Sequence, residues 1–505
     1  MWQIKKIIKY EHNFDLIAVL AVIVFLVLAI FVPNVKTFFV LSFALFSFLT
    51  FRYSFIKAFI YSTIPLSYIS LSQNHPILVI PAKAIVSNQY WEGRHLVLDF
   101  SPFFFIASIA LLTLPFWLKK LKQQFEPIKL INYEKMLIVL FGCGLLSASY
   151  ASLMSGLSIF SVYNQFLSVL WIWYTSRLIH GSNKANQQRI FLTLFLVIAS
   201  LITYESLIVL KQSFSQAPIG LAIEKYTFAT AFGAGADESG GGFRPFGLQA
   251  HPNGLANKQL IMAFSVWLLF CKIDSKNQKN KSLYIKNILT FVLILATINI
   301  ILSLSRAAVI ALFLALLFLF YRHQQQFKLI VSKIEKFISQ IPLRNKLVLF
   351  MLLFLLVFKL SDRLLNSIYS FSEFGGVSTR LVQYTEAIEV FKKSPVFGIG
   401  DEMFIPTSYQ LFPKGVMTYF PENVHNGYLL FIIERGLLGL VAYLIFLFLV
   451  LQKIQQSPLN KQTKSVVYSG LIATFVMMFF HPERNFLSSF MLLTMAVNHL
   501  NYEKK

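Results

Sequence analysis

The chain has 505 residues, of which 56% are hydrophobic, 16% aromatic and only 13% charged. Soluble domains run at about 45–50% apolar and about 25% charged residues, so a soluble globular protein is excluded. The formal net charge of +23 does not point to nucleic acid, because the basic residues are dispersed through short loops beside apolar runs, the pattern that orients membrane proteins. The two cysteines, Cys143 and Cys271, fall in or at the end of predicted spans, where neither a disulfide nor a thiolate metal site is expected.

Taken in chain order, apolar runs long enough to cross a hydrocarbon core of about 30 Å as helices are predicted at 16–32, 37–51, 56–71, 102–118, 136–152, 157–174 and 190–210. A second set follows at 254–271, 288–304, 307–321, 347–360, 427–451, 466–480 and 487–500. The expected fold class is therefore all-α, a polytopic integral membrane protein of about fourteen spans. The first run follows Lys5, Lys6 and Lys9 without a small-residue cleavage site and reads as a retained anchor. The amino terminus, the loops near 119–135, 177–189, 272–286, 322–346 and 453–464, and the final Lys504 and Lys505 hold most of the Lys and Arg. That set is expected to be cytoplasmic, with both termini inside. The resulting division is 1–210, amino-terminal helices; 211–253, an outer loop; 254–361, central helices; 362–426, a large outer loop; and 427–505, carboxy-terminal helices.

Within this frame the polar exceptions carry the information. In the first long outer loop, GAGADESGGG reads as a flexible hinge, since it lacks the Gly-Lys-Ser/Thr ending of a phosphate-binding loop. Arg244, His251 and Asn253 beside Pro252 and Gly254 read as an ordered re-entry turn and candidate lining of a site. Ser305-Arg306 lies at the outer junction of two adjoining apolar runs. An arginine at that depth costs about 2.5–3.5 kcal/mol unless it finds a partner or water, so it is either functional or snorkels to the headgroups. The inner loop 322–346 shows near-helical apolar spacing with basic residues, as in an amphipathic helix on a lipid surface.

The large outer loop ends this list. Ser378 or Thr379 is expected to cap a helix running to Lys393, which Pro395 stops. Arg380 then falls in the first turn, where a cation opposes the helix dipole unless an anion such as phosphate is bound. Its alternative is a surface arginine paired with Glu386, Glu389 or lipid. His425 stands immediately before the run GYLLFIIERGLLGL. The positive end of that helix and a nearby arginine would keep its imidazole neutral, as a general base requires, whereas the plain alternative is a polar residue at the interface. Asn426 is expected to cap the helix. Gly436 and Gly439 are read as allowing close helix approach. Glu434 is read as a buried partner for an arginine such as Arg306, lying too far along the helix to orient His425. No outer loop shows an Asp-x-Asp pair, so a diphosphate would be held by arginines.

Three segments in order, SRAAVIAL, STRLVQYTEAIEVFKKSPVFGIGDEMF and VHNGYLLFIIERGLLGL, resemble the O-antigen ligase and polymerase family, and AHPNGLAN is similar to that family's Pro-Asn turn. The resemblance covers roughly 243–440. It implies glycosyl transfer, without metal or cofactor, on the outer face of a bacterial cytoplasmic (inner) membrane. The donor would be an undecaprenyl-diphosphate-linked glycan, and the acceptor hydroxyl would belong to a lipid-anchored sugar or another glycan. Carried over by motif, Arg306 and Arg380 would hold the diphosphate and His425 would deprotonate the acceptor, with inversion at the anomeric centre. Membrane lipids are expected partners and nucleic acid is not. Ligase and polymerase share these motifs. A protein O-oligosaccharyltransferase, a transporter or flippase of lipid-linked oligosaccharide, and a purely structural membrane protein stay open as alternatives. A transporter would place its polar residues at mid-membrane, and those here gather on one side.

Overall fold

The computed structural model describes residues 14–32, 35–68, 79–81, 95–97, 102–116, 132–150, 155–180, 182–221, 243–249, 251–273, 279–324, 376–416, 423–457 and 459–481, with 119, 339, 342 and 351 as isolated positions. Its helices are α1 (Leu16–Ile30), α2 (Val35–Arg52), α3 (Phe55–Tyr68), α4 (Pro102–Leu112), α5 (Asn132–Tyr150), α6 (Ser155–His180), α7 (Lys184–Ser215), α8 (Pro252–Lys272), α9 (Lys279–Leu302), α10 (Arg306–Arg322), α11 (Gly376–Lys393), α12 (Phe404–Leu411), α13 (Gly427–Gln455) and α14 (Lys461–Phe480). The helical class is as expected, with one addition. Val79–Pro81 pairs antiparallel with His95–Val97, a two-stranded ribbon between α3 and α4.

Among the described residues, five helices are long and apolar enough to cross a membrane: α7, α8, the Leu283–Leu302 part of α9, α13 and α14. The predicted runs 347–360 and 487–500, and nearly all of the amphipathic loop 322–346, lie outside the described residues. Every other predicted run coincides with a helix.

α7 is the central post, at 32 residues about 48 Å long. Asn183 caps its start by accepting from Asn186 N–H, and Gln216 ends it in the left-handed conformation. Packed on α7 are α1, α3, α8 and α9. Lipid is as apolar as leucine, so helices in a membrane associate through close packing of small side chains rather than through water exclusion. α10 shows this well. It buries a stripe of Ala308, Ala311, Ala315 and Leu319 against α14, while Phe313, Leu317 and Phe320 face outward.

The turn entering α8 is fastened by polar side chains from inside the bundle. Glu205 of α7 accepts from Leu248 N–H at 2.9 Å, and Gln212 Oε1 accepts from Phe246 and Gly247 N–H. Gln249 and Lys258 both donate to the Tyr68 carbonyl. Gly247 has φ +60°, and a Cβ there would lie 2.0 Å from Glu205 Oε1. We therefore expect Gly247→Ala to cost about 2–3 kcal/mol, from strain at positive φ and displacement of a buried carboxylate. The measurement is the unfolding midpoint in detergent, and a midpoint equal to wild type would show that the turn is not fastened this way.

Candidate functional site

The layer at the head of α13 has a small core of its own. Ala387 and Val390 of α11, Ile399, Met403, Phe404 of α12, and Val424, Leu430 and Ile433 at the start of α13 form one apolar cluster, separate from that of the bundle. It seats α11 across the head of α13. Glu386, buried in the same layer, accepts from Ser408 Oγ–H and Val416 N–H at 2.9 Å each, while Glu389 pairs with Lys392 at 2.6 Å.

α11 begins at Gly376, not at Ser378 or Thr379, so Arg380 belongs to its second turn. The expected argument from a cation in the first turn does not hold. Position along the face matters instead: Arg380, Gln383 and Tyr384 follow helical spacing toward His425. Gln383 is buried and brings its Oε1 to 3.4 Å from His425 Nδ1, and Tyr384 Oη donates to the His425 carbonyl at 3.2 Å. An amide oxygen facing Nδ1 favours the tautomer with the proton on Nδ1 and the lone pair on Nε2. Burial, the Arg380 guanidinium and His481 push the His425 pKa down to about 3, so its ring is neutral at physiological pH. Arg380 and His425, 45 residues apart in sequence, thus act on each other directly.

Asn426 caps α13, accepting from Leu429 N–H at 3.0 Å, as its position suggested. His481, which the sequence reading did not single out, closes the far end of α14 beside this turn. A Cβ on Gly427 would stand 3.1 Å from the His481 carbonyl, and Tyr428 Oη donates to the Phe475 carbonyl. The signal for His481 was weak, a lone histidine after two phenylalanines and before a proline.

Arg306 opens α10 and is exposed. Phe318 packs edge-on to Tyr468, and residues at the far end of α10 share a cavity with the start of α14, so the two helices are antiparallel. The start of α10, with Arg306, and the end of α14, with His481 after it, therefore lie at the same end of the pair. Just before it, the tight turn with Leu304 at φ +53° is clamped by Arg244. Arg244 Nε donates to the Ser303 carbonyl at 3.1 Å, and its Nη2 to the Leu304 carbonyl at 3.4 Å and to Asn253 Oδ1 at 3.1 Å. His251 caps α8 by accepting from Asn253 N–H at 3.1 Å. Arg244, His251 and Asn253 therefore shape the turn that presents Arg306.

Gly436 does more than allow close approach. It breaks α13 with φ 65° and ψ −172°, and the segment after α11 crosses the break. Ile399 and Gly400 N–H donate to the carbonyls of Ile433 and Glu434 at 3.0 Å. Leu437 and Leu438 N–H donate to those of Pro395 and Val396 at 2.8 and 3.1 Å. Two carbonyls and two N–H groups at the break are thus satisfied by the crossing segment. The glycines make this contact possible: a Cβ on Gly436 would be 2.2 Å from the Val396 carbonyl oxygen, and one on Gly398 (φ +78°) 2.3 Å from that of Glu434.

Two charges lie under this crossing. Arg435, buried, makes a bidentate pair with buried Asp401 at 3.0 and 2.8 Å and stacks over Phe431. Gly144 of α5 leaves room for its guanidinium, and Ser147 of α5 bonds the Glu434 carbonyl and Gly400 N–H. Glu434 turns the other way, accepting from Glu402 N–H at 2.9 Å. The buried arginine of this motif is thus Arg435, with Asp401 as its partner, and Glu434 serves the loop.

No curated protein and no solved structure matches the chain. The family match runs from the second half of α9 into α13 and so includes Arg306, Arg380, His425 and Glu434, whereas the turn at Arg244 and His481 lie outside it. Residues 291–444 match the family model described as O-antigen ligase, which supports the resemblance read from the motifs.

Proposed function

We propose that the protein is a membrane glycosyltransferase that moves a glycan from an undecaprenyl-diphosphate donor to an acceptor hydroxyl, at the outer face of the cytoplasmic membrane in a chain of about fourteen spans. The observation that supports it most is the juxtaposition of Arg380 with a neutral His425 at the head of α13. His425 Nε2 takes the proton of the acceptor hydroxyl as its oxygen attacks the anomeric carbon. The bond to the lipid diphosphate breaks on the opposite face, inverting the centre. Arg306 and Arg380 offset the charge that builds on the departing diphosphate, without a metal ion. The acceptor is a lipid-anchored sugar or the end of another glycan.

The test uses the purified chain, an undecaprenyl-diphosphate oligosaccharide and a sugar acceptor. Arg380→Gln is expected to lower kcat/KM by about 10–100-fold, the range for losing one charge-assisted contact. Arg380→Lys should recover only part of it, since an ammonium lacks the paired donors. Turnover unchanged in Arg380→Gln would remove the diphosphate role. Movement of the oligosaccharide across a vesicle membrane with no new glycosidic bond would favour a transporter instead.

A further inference from the structure

At the end of the α10–α14 pair remote from His425, residues 321–324 and 460–462 enclose a cavity of about 750 Å³. Among the described residues its charge is one-sided. Arg322, His323 and Lys461 line it, and neither 319–324 nor 455–464 contains an Asp or Glu. α14 starts here with Asn460 as its cap, so the positive end of a 20-residue helix adds to the same potential. His323 lines the cavity, and its Nε2 is buried with no hydrogen-bond partner among the described residues. Directly beside the cavity the outward face of α10 is apolar: Phe313, Leu317, Phe320 and Tyr321 are exposed along successive turns.

We propose that this cavity binds the phosphate-bearing headgroup of an anionic membrane phospholipid. Arg322 and Lys461 contact the phosphate, His323 Nε2 meets a headgroup oxygen or hydroxyl, and the acyl chains lie along the exposed face of α10. The apolar track favours lipid over free phosphate, which has no use for it. The site is independent of the glycan-transfer reading, since it shares no residue with it.

The experiment places the full chain in nanodiscs of zwitterionic lipid titrated with phosphatidylglycerol, and reads bound lipid by native mass spectrometry. Arg322→Gln/Lys461→Gln is expected to lower phosphatidylglycerol affinity by about 30-fold, from two basic charges near a membrane surface. Both side chains are exposed, so the variant should fold, which circular dichroism checks. Lys453→Gln/Lys464→Gln removes equal charge from the same end of the bundle outside the cavity and is expected to change affinity less than threefold. Equal losses in the two variants, or no loss in the first, would overturn the site. Inorganic phosphate competing at millimolar concentration in zwitterionic discs, with no preference for phosphatidylglycerol, would overturn the lipid assignment.

Discussion

Replacing His425 with alanine is expected to lower turnover by about 10²–10⁴-fold, the usual share of a positioned general base. The loss should appear in kcat, with donor affinity little changed, because in the proposed role the ring meets the acceptor proton and not the diphosphate. The pH dependence separates this role from a structural one. His425 is held neutral by burial first, then by Arg380 and His481, and its pKa lies near 3. A base with a lowered pKa stays competent on acidification, so wild-type kcat/KM should show no inflection at about 6.5, the value of a free histidine. In Arg380→Gln one of the lowering influences is gone, and the acid limb should move up toward 6.5. The same shift has a sign for stability. Unfolding takes up a proton between the two values, so stability is complete above about 6.5 and declines as pH falls toward 3. His425→Ala should flatten that slope. An acid limb at about 6.5 in both wild type and Arg380→Gln would contradict the arrangement.

Gly436→Ala is expected to destabilise the fold by about 3–5 kcal/mol and to abolish transfer. The residue sits in backbone territory that only glycine occupies cheaply, and a methyl would meet the Val396 carbonyl at 2.2 Å. Since that carbonyl accepts from Leu438 N–H, moving it also breaks the crossing. The control is Gly142→Ala, where an added Cβ meets nothing within 4 Å. It should be neutral or stabilise α5 by up to about 1 kcal/mol from helix propensity. Unfolding midpoints in detergent and limited proteolysis near 394–402 would read both. A Gly436→Ala midpoint as high as that of Gly142→Ala would mean the helix closes over the break.

Helices were legible in the sequence because length and apolarity are local properties. An arginine near His425 was expected only in general terms, and the structure supplies Arg380 in that place. Partner choice was not legible. Arg435 and Glu434 are neighbours in one apolar run, and nothing in their spacing says which is satisfied by a residue 34 positions away and which by a backbone N–H. Asp401 and Glu402 had the same ambiguity, and the structure resolves it by sending Asp401 inward and leaving Glu402 exposed. The start of α11 was misplaced because Ser378 and Thr379 are good capping residues, yet a helix can extend past them to Gly376. His481 was missed because its importance comes only from the end of α14 lying beside Gly427, a tertiary fact.

The crossing at Gly436 works as a ruler. Pro395 and Val396 are tied to one side of the break, and Ile399 and Gly400 to the other. The segment therefore has a fixed residue count, and inserting or deleting a single position there would put both sets of bonds out of step. Under the proposed function, changes of length that adapt the site to longer or bulkier sugars would then fall elsewhere in this layer, and the stretch from Pro395 to Gly400, apart from its positive-φ glycines Gly398 and Gly400, should tolerate side-chain exchange far better than any change in its length.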